Sequence, residues 1–131
     1  MRCYAPQPMI KLIFCLRRRH ELSREEFQQY WYTTHAPLVK ERAAKIGARR
    51  YVQLHTSHDD LNEVLRLGRG GPEPYDGVAE LWFDDRAALE SAFSTADARE
   101  AGAALLADER NFIDLSRSPI WLAEERTVVP G

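Results

Sequence analysis

The sequence predicts an α+β domain in which strands and helices follow in the order βαββαβ, with one four-stranded antiparallel sheet and the helices on one face. Three observations carry this expectation. Four short apolar runs alternate with period two, whereas the stretches after the first and third repeat near period 3.6. The longer helical stretches follow those two runs, with no more than one or two turns of helix after the second, which separates the pattern from a parallel βαβ array. The chain has 131 residues, 44% hydrophobic and 29% charged, enough for one packed core and too few for two.

Residues 1–8 carry Pro6 and Pro8 without periodicity and read as a flexible N-terminal arm. The domain then occupies residues 9–126, and 127–131 form a C-terminal tail. In the run 9–17, Ile10, Leu12, Phe14 and Leu16 share one face of a buried strand. Ser23 with Glu26 three residues later has the spacing of a capping box, so a helix starts at 23 or 24. Phe27, Tyr30, Trp31 and His35 form one stripe of it. Pro37 disfavours helical geometry at Ala36, which predicts a break there, with His35 at the helix C-terminus and a second helix over 38–46 closing at Gly47.

The period then returns to two over 49–57, with Val52 and Leu54 on one face and Tyr51, Gln53 and His55 on the other. The excursion 58–75 holds several glycines and prolines and one or two turns of helix around Leu61, Val64 and Leu65. A third strand covers 76–84. Asp85 caps a helix to about 93, a further Ala-rich helix spans 97–108, and a last strand covers 119–125. The spacing is that of a ferredoxin-like domain.

Net charge is -2 with acidic and basic residues interleaved, so bulk charge points to neither nucleic acid nor a membrane surface as partner. The longest apolar stretch, 9–16, is interrupted by Lys11 and is far too short to cross a bilayer. Cys3 and Cys15 make neither a disulfide framework nor a metal-ligand spacing, which fits a cytoplasmic setting. The histidines never fall at a two-ligand spacing on one element, and no phosphate loop or nucleophile elbow occurs, so metal and nucleotide cofactors are not expected.

Two helices cover one face of a four-stranded sheet. The face left bare is expected to carry Ile13, Cys15, Tyr51, Val78 and Trp82, together with Gln53, His55 and Glu80. A face so apolar needs cover, which a homodimer stacking sheet on sheet supplies. Polar groups among aromatics either satisfy one another or line a cavity completed by a ligand. Such a set, containing an acid, a base and neutral donors, suits proton removal from a phenol or enol and stabilisation of the resulting oxyanion. His35, His55, Tyr51 and Glu80 are the catalytic candidates. Gln53, Trp82, Ile13, Val78 and Trp31 are the substrate-binding candidates.

Four segments, in order, resemble the EthD family of the dimeric α+β barrel superfamily: Phe27-x-x-Tyr30-Trp31-x-x-x-His35-x-Pro37-Leu38; Tyr51-x-Gln53-x-His55; the run from Tyr75 through Asp84; and Asp108-Glu109-x-x-Phe112-x-Asp114. The resemblance covers residues 10–124. It implies a ferredoxin-like homodimer acting without metal or organic cofactor, as a lyase, decarboxylase, cyclase or isomerase, on an aromatic or polyketide-like carbonyl compound. It implies that His35 lies near the cavity mouth. It also leaves open a non-catalytic carrier of a hydrophobic ligand, a cofactorless monooxygenase and a haem binder.

Overall fold

A computed structural model of the chain describes residues 9–131; the arm over 1–8 and Cys3 lie outside the described residues. The strands are β1 (Ile10–Leu16), β2 (Arg50–His55), β3 (Gly77–Phe83) and β4 (Ile120–Glu124). They form one antiparallel sheet in the order β2-β3-β1-β4, as the βαββαβ pattern requires.

Register decides which side chains share a face, because a shift of one residue would invert every assignment. Leu12 lies opposite Leu81 and Leu122, and Phe14 opposite Ala79 and Ile120. Tyr51 lies opposite Leu81, Gln53 opposite Ala79 and His55 opposite Gly77. The three polar β2 residues therefore stand on the helix-covered face with Leu12, Phe14 and Leu16. The other face carries Lys11, Ile13, Cys15, Val78, Glu80 and Trp82. This corrects the expectation that Tyr51, Gln53 and His55 share a bare face with Ile13, Val78, Glu80 and Trp82. The alternation within each strand was legible, but nothing in β2 alone says which of its faces matches which face of β1.

The first helical region also departs from expectation. Ser23 and Glu26 form the capping box that starts α1 (Arg24–Tyr30). Instead of ending, the helix widens into one π turn, Trp31–His35, and continues as α2 (Ala36–Arg42). Pro37 has no N–H to give to Thr33 and its ring would crowd that carbonyl in a regular helix. The wider turn relieves both problems and sends the Ala36 N–H to the Trp31 carbonyl. His35 is thus inside a continuous helical rod, and no helix C-terminal dipole acts on it.

The excursion after β2 holds three turns of helix, α3 (Asp59–Arg69), bounded by left-handed residues at His58 and Gly70. It turns Asn62 and Arg66 towards the domain, where they bond the Ser57 and Gly71 carbonyls, and leaves Leu61, Val64 and Leu65 outside. After β3, Asp85 and Thr95 cap α4 (Arg86–Ser94) and α5 (Ala96–Glu109) by accepting from the Ala88 and Ala98 amides. A short 3-10 turn, Leu115–Arg117, leads into β4.

The core lies between this side of the sheet and the helices, with Leu16, Phe27, Trp31, Ala79, Phe112 and Ile113 at its centre. Gly77 sits under Trp31; a Cβ added there would lie 2.8 Å from Trp31 Cη2 and 2.9 Å from the Leu54 carbonyl oxygen. Among the described residues, no helix is long and apolar enough to cross a membrane.

Candidate active site

Packing between sheet and helices is incomplete, and leaves a cavity of about 420 Å³. Its walls are mainly aliphatic and aromatic, with Leu12 and Phe14 from the sheet and Val39, Leu89 and Leu105 from the helices. Four polar or charged side chains also line it: His35, Tyr51, Arg99 and Glu109. This volume suits a compound of two or three fused rings.

His35 is 4% exposed, and its Nδ1 lies 2.7 Å from Oδ2 of Asp108. The other carboxylate oxygen accepts from the Tyr30 hydroxyl at 2.6 Å and from Asn111 Nδ2 at 3.3 Å. Burial pulls the His35 pKa down, and the pull of Asp108 in the other direction is smaller, so it ends below the usual histidine range. Burial works to raise the Asp108 pKa, but the hydrogen bonds from Tyr30, His35 and Asn111 outweigh it and hold the carboxyl below its ordinary value. At neutral pH the pair is therefore a neutral imidazole beside a carboxylate. The carboxylate requires a donor, so Nδ1 carries the proton and Nε2 presents a lone pair. Among the described residues, Nε2 has no hydrogen-bond partner.

Glu109 is the neighbouring carboxyl on the same last turn of α5. Burial, reinforced by the charge of Asp108, pushes it up from 4.5 to about 7, with Arg110 opposing weakly. No side-chain hydrogen bond holds this carboxyl among the described residues, so it is free to exchange a proton with a molecule in the cavity. Tyr51 is pushed up to about 12 by burial and by Glu109, against hydrogen bonds from Gln53 and Trp31. It stays protonated. Because its oxygen accepts from Gln53 Nε2 at 2.7 Å, its own O–H is left to donate.

Gln53 is fully engaged by the protein. Its amide nitrogen also donates to the Trp31 carbonyl at 3.0 Å, and its Oε1 accepts from His55 Nε2 at 2.8 Å. His55 stacks on Trp31, centroids 4.6 Å apart, and burial lowers its pKa. It lines an outer groove with Tyr32 and Pro37, not the cavity. The remaining candidates stand behind the sheet. Glu80 pairs with Lys11 Nζ at 2.7 Å, and Trp82 lies under Lys11 and Arg50 while donating its Nε1–H to Glu125 at 2.7 Å. Ile13 and Val78 share that face.

Of the nine expected site residues, the structure thus gathers His35, Tyr51 and Trp31 on the cavity, sets Gln53 and His55 directly behind Tyr51, and separates Glu80, Trp82, Ile13 and Val78 by the thickness of the sheet. Asp108 and Glu109 were missed as site residues. One signal was present: Ala98, Ala101 and Leu105 mark the buried stripe of α5, and Glu109 continues it at the next i+4 step. Among the described residues, no three His, Cys, Asp or Glu side chains gather to hold a metal ion.

Fold and site together define a ferredoxin-like α+β domain built around an apolar pocket with acid–base groups at one end. The profile of the EthD domain matches residues 19–116, and the chain belongs to the EthD family. No curated protein matches it. Solved structures share the fold at low identity. An EthD family protein from Bacillus halodurans superposes with a TM-score of 0.60 at 20% identity, covering 90% of this chain and 99% of its own. A dimeric protein of unknown function and ferredoxin-like fold from Bacteroides fragilis gives 0.58 at 14% identity, with coverages of 92% and 100%. A mutant of SnoaB, a cofactor-independent oxygenase from Streptomyces nogalater, gives 0.51 at 16%, with coverages of 95% and 99%.

Proposed function

We propose that the chain is a cofactor-independent acid–base enzyme that binds an aromatic or polyketide-like carbonyl compound in the cavity between sheet and helices. The observation that carries this reading is one apolar cavity lined both by a histidine oriented by a carboxylate and by a carboxyl pushed up to about 7. Groups that titrate near neutrality and are screened from bulk water are suited to moving protons.

The chemistry follows from the atoms that are free. His35 Nε2 takes a proton α to the substrate carbonyl, or from a phenol. The released pair forms the enol double bond, and the carbonyl pair moves onto oxygen, which is met by the Tyr51 O–H or takes the Glu109 proton. Return of the proton from His35 to a different carbon gives isomerisation, its delivery to a β-hydroxyl that departs as water gives dehydration, and attack of the enol carbon on a second carbonyl, whose oxygen takes the proton, gives ring closure. Each is redox-neutral. The oxygenase activity of SnoaB belongs to that protein, and a likeness at 16% identity carries fold alone. Oxygen uptake in the presence of a bound phenol would favour that alternative, and a Soret band in purified protein would favour haem.

The second face of the sheet is where a homodimer is proposed to form. Leu54 and Trp121 are about half exposed on it, and two solved structures of this fold are described as dimeric. The cavity lies on the opposite, helix-covered side of the sheet.

Thermal-shift screening against phenols, lactones and polyketide mimics, followed by product analysis of each hit, tests the function. A stabilising compound that is converted supports the enzyme. One recovered unchanged supports a ligand-binding accessory protein, and no stabilisation by any class removes the cavity reading.

A further inference from the structure

The cavity has two chemically different ends. At its deep end, Asp108 and Glu109 stand together at the last turn of α5 beside the buried His35. At its open end Arg99, on the second turn of the same helix, lines the cavity beside Phe93, which is 70% exposed. Arg99 is itself exposed and has neither an ion pair nor a side-chain hydrogen bond among the described residues. Arg99 and Glu109 are separated by almost three helical turns, a rise of roughly 15 Å. Apolar walls join the two ends, with Gly102 on α5 between them leaving open space where a side chain would stand.

From this we infer the class of substrate: an elongated, amphipathic molecule whose neutral carbonyl or phenol sits at the His35–Glu109 end and whose anionic group is held at the mouth by Arg99. This inference rests on the proposed cavity function and adds the direction in which the substrate lies. A negative charge at the deep end would face the Glu109 carboxyl, with the Asp108 carboxylate behind His35, in a poorly solvated place where repulsion is weakly screened. At the mouth the same charge meets a free guanidinium that has no competing partner. The middle of the molecule needs only to be flat and apolar. Arg99 is a specificity residue in this scheme and takes no part in the proton transfer.

The test uses the whole chain and three probes: naphthol, the hydroxynaphthoic acid whose two groups stand at opposite ends of the ring system, and its isomer with the groups on neighbouring carbons. Affinities are measured by calorimetry at neutral pH and low salt. The end-to-end acid should bind about three- to fivefold tighter than naphthol, the range of a solvent-accessible ion pair. The neighbouring isomer should gain nothing, because it cannot place its carboxylate at Arg99 without burying its hydroxyl elsewhere. In Arg99→Glu the preference should reverse, so that the end-to-end acid binds more weakly than naphthol does to the same variant, and added salt should erode the wild-type preference. Equal affinity of wild type for naphthol and the end-to-end acid overturns the inference, as does a preference that survives Arg99→Glu. Failure of naphthol and of both acids to bind, with no stabilisation by any other class of compound, removes the cavity reading and this inference with it, whereas naphthol binding without the acid preference removes only the inference.

Discussion

The Nδ1 atom of His35 lies 2.7 Å from Oδ2 of Asp108, a contact that joins the π turn of the first helical rod to the end of the last helix. It fixes the imidazole tautomer and aims Nε2 as a base. Asp108→Asn should lower the His35 pKa further, since the carboxylate is what opposes burial there. Proton transfer should fall by roughly a hundredfold, the scale of one general acid–base group. NMR titration of the His35 ring, with turnover measured on an identified substrate, checks both.

Glu109 makes stability depend on pH in a definite direction. Its folded pKa is raised, so its contribution is fully present below about 4.5 and is lost as pH rises through about 7. The difference across that window amounts to roughly 3 kcal/mol. Glu109→Gln should remove the dependence, becoming the more stable protein at pH 8 relative to wild type while losing that advantage at pH 4.5. Urea unfolding of both proteins at the two pH values measures it, and parallel profiles would refute the burial of this carboxyl.

Gly102 offers a separation of fold from site. It is helical, lines the cavity and has no heavy atom beyond its own stretch of helix within 4 Å of where a Cβ would lie. Gly102→Ala should stabilise the domain by about 0.5–1 kcal/mol through helix propensity. Gly102→Leu should keep the fold and abolish ligand stabilisation by filling the cavity. Thermal unfolding with and without naphthol distinguishes the two effects.

At Gly77 the opposite outcome is expected. Any Cβ there meets the Trp31 ring and the Leu54 carbonyl, so Gly77→Ala should cost about 1–3 kcal/mol as an overpacked core does. It should also disturb the Gln53–Trp31 bond that holds Tyr51. A variant as stable as wild type in urea would contradict the packing described.

Much of the fold was legible because the signals were local. The Ser23–Glu26 box, the Asp85 cap, the positive φ at Gly47 and the alternation in each strand all depend on residues within a few positions of one another. What failed depended on relations between elements. Pro37 reads as a stop until the π turn absorbs it, and α3 runs to three turns with Leu61, Val64 and Leu65 exposed, so no buried apolar stripe marks its length. His35, Tyr51 and Trp31 were legible as site residues from their motifs. Tyr51, Gln53 and His55 were misplaced onto the bare face beside Glu80 and Trp82, because the alternation within a strand does not reveal which of its faces will meet the helices. Glu109 stood in the Asp108-Glu109 segment and on an otherwise apolar helical stripe, neither of which says that its carboxyl lines a cavity.

The most direct test of a proton-transferring cavity is hydrogen–deuterium exchange at the α-carbon of β-tetralone in deuterated buffer, followed by NMR. Exchange well above the buffer rate is expected with wild-type protein, suppressed in His35→Ala and in Glu109→Gln and blocked by Gly102→Leu. Exchange at the buffer rate with the ketone shown to occupy the cavity, or exchange that survives both His35→Ala and Glu109→Gln, would contradict it.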